Sequence, residues 1–110
     1  MDLRGHLDLL LLSTLRSLGT AHGYALITAL RESSEGTFDL PEGTVYPALH
    51  RLERDGLISS EWHDVSPRRR RVYRLTPRGA EALTAKKAEW QAFSRGMQAV
   101  LKTGLTAGAA

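Results

Sequence analysis

The stretch from Asp39 to Gly56 constrains the fold most, because it predicts one short helix with a clear start and a clear stop. Asp39 is expected to cap the first turn. Pro41 is expected inside that turn, and Glu42 stands three residues after Asp39, as in a capping box. Gly56 is expected to end the helix in the left-handed conformation that glycine adopts most readily.

The predicted helix has one apolar side and one side without carboxylates. At 100° per residue, Val45, Leu49 and Leu52 lie within about a quarter turn of one another, so they predict the buried side. The two acids, Glu42 and Glu53, are predicted to flank that buried side. Small, hydroxyl and basic groups on the outer side suit contact with phosphate, although an ordinary amphipathic surface helix has a similar pattern. The outward residues are Gly43, Thr44, Pro47, His50, Arg51 and Arg54.

The charge of the chain is unevenly distributed. The 110 residues carry a net charge of +3, but residues 50–78 contain eight arginines and four acids, which leaves +4 there and −1 elsewhere. This asymmetry favours an anionic partner at one part of the surface. The chain has no cysteine, which excludes disulfides and thiolate metal sites. The leucine-rich start is too short to span a bilayer, so we expect a cytoplasmic protein with no membrane partner.

Helices and strands on either side of this segment complete a recognisable outline. Residues 3–18 predict a helix with apolar groups on two sides, because Leu9 and Leu12 add a second face, and we expect that face to meet another chain. Residues 22–34 predict a second helix, in which Gly23 allows close approach, followed by a loop. Residues 57–65 and 70–76 predict a β-hairpin, in which Tyr73 and Leu75 share one face.

The last helix is predicted over residues 77–102, with Thr76 as its cap and Pro77 at its first position. Leu83, Trp90 and Met97 are seven residues apart. Phe93 and Val100 form an interleaved pair with the same separation. A helix of roughly 37 Å is too long to bury this stripe on one small domain, so we expect a dimer contact. Trp90 fits either that core or an aromatic platform for a planar ligand in a dimer groove.

The predicted fold class is mainly α with a small β-hairpin: a winged helix-turn-helix followed by a C-terminal dimerisation helix. We expect the DNA-binding domain over residues 1–76, the dimerisation helix over 77–102 and a flexible tail over 103–110.

The strongest charge signal is the run of arginines after Ser66-Pro67 at the hairpin tip. Guanidinium groups bind phosphate oxygens in pairs and can enter a narrow minor groove, whereas a solvated loop is the alternative explanation. Base contacts are expected from the outer side of the third helix. Tyr46 fits core packing and phosphate contact equally well. The predicted DNA-binding residues are Thr44, Tyr46, Pro47, His50, Arg51, Arg54, Arg68, Arg69, Arg70 and Arg71.

No catalytic or metal site is predicted. The four histidines lack i, i+4 pairing, and neither a nucleophile-elbow motif nor a phosphate-binding glycine loop is present. We therefore expect no enzyme activity and no cofactor.

Several blocks of the chain closely resemble the PadR family of bacterial transcriptional regulators. They are His22-Gly23-Tyr24, the string GTVYPAL at 43–49 followed by RLERDGLI at 51–58, and the arginine run leading to YRLTPRG at 73–79. The resemblance spans roughly residues 5–85.

The resemblance implies a homodimer that binds pseudo-palindromic operator DNA, most often as a repressor. It also implies a dimer contact from the last helix and the leucine-rich first helix, and a small hydrophobic or aromatic effector near that contact. The expected dimer residues are Leu7, Leu11, Leu83, Trp90, Phe93, Met97 and Val100, with Trp90 at the possible ligand groove. A protein-interaction adaptor and a ligand-binding module at the dimer groove remain alternatives.

Overall fold

Four helices and a small antiparallel sheet make up the chain, as predicted. The computed structural model describes residues 6–65 and 68–103. The predicted turn residues Ser66 and Pro67, and the predicted tail from residue 104 onward, lie outside these ranges. The elements are α1 (Leu7–Leu18), β1 (Thr20–His22), α2 (Gly23–Ser33), α3 (Glu42–Arg54), β2 (Ile58–Val65), β3 (Arg68–Leu75) and α4 (Pro77–Thr103).

The hydrophobic core lies where α1, α2, α3, the sheet and the start of α4 meet. Leu12 is 0% exposed within a single chain, so the prediction that its side of the first helix meets another chain is wrong. The assignment of Leu7, Leu11 and Leu83 to a dimer contact is corrected for the same reason, because their side chains are already buried in this core. The other core residues are Leu15, Ala21, Leu26, Ile27, Leu30, Leu40, Val45, Ala48, Leu49, Leu52, Ile58 and Tyr73.

The start of α3 differs from the prediction. The helix begins at Glu42, and Pro41 is its N-cap in an extended conformation, with no side-chain cap. The Pro41 carbonyl accepts hydrogen bonds from the amides of Thr44 (3.0 Å) and Val45 (3.1 Å). A residue that precedes proline is disfavoured in the helical conformation, so the helix cannot extend back through Leu40. The predicted Asp39 cap and the placement of Pro41 inside the helix are therefore wrong.

The end of α3 is joined to the start of α4. Gly56 has φ +79°, and the Leu57 amide donates to the Leu52 carbonyl at 3.0 Å, which is the hydrogen bond of a Schellman motif. The Thr76 hydroxyl donates to the Gly56 carbonyl at 2.7 Å. The Thr76 oxygen also accepts from the Gly79 amide at 3.0 Å. The predicted roles of Gly56 and Thr76 as caps are confirmed.

The sheet contains a strand that the sequence did not predict. β1 is only three residues long and pairs antiparallel with β3, which gives the order β1-β3-β2. Such a short strand shows no alternation that could be detected in the sequence. It places His22 beside Val72 of β3, and so brings the start of α2 to the β2–β3 hairpin, which we call the wing.

The first half of α4 packs on the body, and its second half extends away from it. Leu83 is buried, whereas Phe93 is 56% exposed, Met97 47% and Leu101 70%. The molecule is accordingly elongated, with extents of 66 × 28 × 20 Å. Within the described part of the chain, no helix is both long and apolar enough to span a membrane.

Candidate nucleic-acid interface

An open groove of about 600 Å³ lies between the start of α2, the start of α3 and the wing. We call it the wing groove. Its lining contains four arginines and a single carboxylate, so its electrostatic potential favours an anion. The lining residues are His22, Gly23, Tyr24, Glu42, Tyr46, Trp62, Arg68, Arg69, Arg70 and Arg71.

Arg71 connects the wing to α3. Its Nε donates to the Ser60 hydroxyl at 2.7 Å, and that hydroxyl donates to the Glu53 carboxylate at 2.6 Å. The Arg71 guanidinium also lies 3.4 Å from the same carboxylate. The predicted position of Glu53 on the inner flank of the helix is confirmed. Because its charge is partly neutralised, Arg71 has a positioning role that distinguishes it from the other three arginines of the run.

Trp62 lies among the wing arginines. Its ring is 4.9 Å from the Arg69 guanidinium and 5.3 Å from that of Arg71, both within the range of cation–π contact. Arg69 is also 3.5 Å from Asp64. Sequence reasoning assigned no role to Trp62. The signal that could have identified it is the hairpin register, which pairs Trp62 with Arg71.

His22 and Arg70 meet across the wing groove. The His22 Nδ1 accepts a hydrogen bond from the Ala25 amide at 3.2 Å and so caps α2. Its Nε2 lies 2.8 Å from the Arg70 guanidinium. Burial and the neighbouring Arg70 charge lower the pKa of His22 below its ordinary value. Sequence reasoning assigned no role to His22, because its contact with Arg70 depends on the unpredicted strand β1.

Tyr46 combines both of its predicted environments. A Cβ at Gly23 would lie 2.6 Å from its ring, so glycine is needed there and the predicted close approach is confirmed. The Tyr46 side chain also lines the wing groove. Burial first, and the nearby Glu42 carboxylate second, raise the pKa of the phenol. Glu42 itself is exposed and lines the groove, so its predicted place on the inner flank is wrong.

The outer side of α3 keeps most of its predicted residues. Pro47, His50 and Arg54 are exposed, and Thr44 is partly exposed. Arg51 is the exception, because its guanidinium donates two hydrogen bonds to the Asp8 carboxylate of α1, at 2.9 and 2.6 Å. Its assignment to base reading is corrected, since these contacts already use its paired donors.

A second, smaller groove surrounds Trp90. It has a volume of about 220 Å³ and is lined by His6, Leu9, Lys86, Glu89, Trp90 and Phe93. The Trp90 ring lies 5.1 Å from that of His6 and 5.9 Å from that of Phe93. Across residues 6–65 and 68–103, no group of three or more histidine, aspartate or glutamate side chains could hold a metal ion.

This arrangement defines a winged helix-turn-helix protein: α2 and α3 form the helix pair, β2 and β3 form the wing, and α4 follows as a long terminal helix. The model of the transcriptional regulator PadR-like family matches residues 11–85, and the chain belongs to that family.

Individual relatives agree with this assignment. The chain is 46% identical over 65 residues to transcriptional regulator Rv3488 of Mycobacterium tuberculosis, and the match covers 59% of this chain and 61% of that protein. A PadR family transcriptional regulator from Eggerthella lenta is 36% identical with a TM-score of 0.79, over 91% of this chain and 85% of that one. Bacillus subtilis PadR in complex with operator DNA shares the fold, with 24% identity, a TM-score of 0.65 and coverage of 72% and 44%.

Proposed function

We propose that the protein is a sequence-specific DNA-binding repressor that binds a pseudo-palindromic operator as a homodimer. The observation that supports this most is the wing groove, where four arginines lie beside the outer side of α3. Duplex DNA offers a phosphate row to such a surface and base edges to the helix next to it. Bacillus subtilis PadR, which shares the fold, is bound to operator DNA in its structure.

The residues divide into three roles in this proposal. Arg68, Arg69 and Arg70 contact phosphates and supply affinity for any duplex. Arg71 holds the wing against α3. Selection between sequences then comes from the outer side of α3, through Thr44, Tyr46, Pro47, His50 and Arg54.

Salt dependence tests the phosphate contacts. Replacing Arg68, Arg69 and Arg70 with Ala should weaken binding to operator and random duplex alike. It should also reduce the slope of log K against log salt by about 3, roughly one for each lost phosphate contact. Arg95→Ala, on the exposed part of α4, is the matched control for a lost arginine. An unchanged slope would remove the wing from the interface.

Thr44→Ala tests sequence selection. If Thr44 contacts a base, the variant loses more affinity for the operator than for random duplex. Equal losses on the two duplexes would place Thr44 on the DNA backbone instead. The operator can be obtained by capturing bound fragments from genomic DNA with the intact protein.

The homodimer proposal rests on the far half of α4. Trp90, Phe93, Met97 and Val100 follow heptad spacing on a part of the helix that extends beyond the folded body. A second copy of the same helix covers such a stripe most simply, by coiled-coil packing. Phe93→Glu should shift the molar mass measured by light scattering from dimer to monomer. Ala99→Glu, on the opposite side of the helix at 100° per residue, should leave a dimer.

The groove around Trp90 supports binding of a small aromatic or hydrophobic effector. Its lining combines aromatic rings with one cation and one carboxylate, a composition that suits planar, weakly polar molecules. In a Trp62→Phe background, Trp90 is the remaining tryptophan, so its fluorescence reports on this groove alone. A binding effector should quench it and should lower operator affinity, and quenching without a change in affinity would argue against regulation by that molecule.

A further inference from the structure

The contact between His22 and Arg70 brings two hydrogen-bond donors to one imidazole ring. The Ala25 amide N–H is directed at Nδ1 at 3.2 Å, and an Arg70 N–H is directed at Nε2 at 2.8 Å. A neutral imidazole has one acceptor nitrogen and one N–H. One of the two donors therefore has no acceptor in this arrangement.

The helix cap determines which donor lacks its acceptor. As long as Nδ1 accepts from Ala25 to cap α2, the proton of the neutral ring must be on Nε2, where it faces the Arg70 N–H. The pKa of His22 is lowered by burial and by Arg70, which favours the neutral ring. Two N–H groups then point into the same space and have no oxygen between them.

The surroundings of this space select an anion. No carboxylate in the described ranges lies within ion-pair distance of Arg70. The Tyr24 side chain is exposed and, like that of Tyr46, it lines the same groove. Both phenols can donate a hydrogen bond. The Arg70 side chain is exposed, so it can turn to accommodate an oxygen placed between it and His22.

From these contacts we infer that His22 and Arg70 together form a seat for one phosphodiester of the DNA backbone, with one phosphate oxygen accepting from both groups. This inference rests on the proposed function and specifies where the backbone lies: between the wing and the start of α2. The phosphate relieves the donor–donor contact without disturbing the α2 cap. His22 is thus a DNA-contacting residue in addition to those predicted from the sequence.

The test uses two single variants and their combination. His22→Asn keeps an acceptor for the Ala25 amide, because asparagine is among the best N-caps, but removes the Nε2 donor. Arg70→Ala removes the cation. Each should lower affinity for a random duplex and for the operator by the same factor, roughly fivefold to tenfold, as expected for one charge-assisted hydrogen bond at an exposed site.

The double variant provides the decisive measurement. If both residues hold the same phosphate, the loss in the double variant is smaller than the product of the two single losses. Independent, multiplying losses, or an unchanged affinity of His22→Asn, would overturn the seat. His63→Asn, on the exposed face of the wing, controls for loss of a histidine elsewhere on the same hairpin, and its effect should multiply with that of Arg70→Ala.

Two further arms separate the possible failures. If the wild-type protein binds no duplex at any salt concentration, the proposed function fails; if it binds and only His22→Asn has no effect, the seat alone fails. Inorganic phosphate added at constant ionic strength distinguishes the sources of the anion. Tight binding of free phosphate that His22→Asn abolishes, with duplex affinity unchanged, would show an anion site unrelated to DNA and would overturn the inference.

Discussion

Arg51 of α3 and Asp8 of α1 form a two-point hydrogen-bonded ion pair, although they are 43 residues apart in the chain. The pair holds the third helix against the first at a point where both side chains are only partly exposed. The hydrogen bond from Arg51 to Asp8 is also the largest cause of the raised pKa of Arg51. The guanidinium therefore sets the position of the helix that faces the wing groove, and does not itself reach outward.

Arg51→Ala should reduce the free energy of unfolding by about 1 kcal/mol, a modest value because the pair is partly open to solvent. Asp8→Ala should cost a similar amount, and the double variant should cost less than the sum of the two. Arg54→Ala is the matched control, because Arg54 is exposed and lies no closer than 3.9 Å to its neighbour Asp55. A ratio of operator to random affinity that changes on Arg51→Ala, with stability unaffected, would contradict this role.

Gly79→Ala should destabilise the protein, because a Cβ at this position would collide with the Leu57 carbonyl. Overpacking of this kind costs roughly 1–3 kcal/mol, or more where the backbone has to move. Gly96→Ala in the same helix meets open space and should raise helix stability by up to about 1 kcal/mol. Thermal melting of the two variants should therefore give shifts of opposite sign, and equal shifts would show that the junction between β2 and α4 can relax.

Arg71→Ala should be more destabilising than Arg69→Ala. Loss of Arg71 leaves the partly buried Glu53 carboxylate with only Ser60 as its partner, which we expect to cost about 1 kcal/mol. Arg69 lies at an exposed pair with Asp64, so its loss should stay within about 0.5 kcal/mol. Chemical denaturation measures both, and equal midpoints would show that the contact with α3 does not hold the wing.

The stability of the protein should fall on mild acidification through His22. Its pKa in the folded state lies below the value of about 6.5 expected when unfolded, because of burial and Arg70. The unfolded chain then binds the proton more readily, so the contribution is fully present above the unfolded pKa and is lost as the pH falls toward the folded one. The charged and titratable groups around the ring are Arg68, Arg69, Arg70 and Arg71 of β3, Glu42 and Tyr46 of α3, and Tyr24 of α2.

His22→Asn isolates this effect, because it keeps a cap on α2 and removes the titrating group. Between about pH 7.5 and about pH 5, the melting temperature of the wild type should fall more than that of the variant. Parallel decreases in the two proteins would assign the acid sensitivity to other groups.

Much of the fold was predictable because it depends on neighbours in the sequence. The Gly56 stop, the Thr76-Pro77 start and the alternation of Val72 and Tyr73 in β3 each follow from backbone preferences over a few residues. The exception at this scale is instructive. Asp39 has the right chemistry for a cap, but Pro41 prevents the helix from reaching it.

The sequence by itself determined the class of protein: the helices, the wing, the clustered arginines and the family to which they belong. Only the tertiary structure decided what individual side chains do. It showed that Arg51 pairs with Asp8, that Arg71 joins the wing to α3, and that β1 brings His22 to Arg70 across 48 residues. Helical periods and turn signals are local properties, whereas hydrogen bonds between distant segments form only after the chain has packed, and four adjacent arginines of the same type can then have different partners.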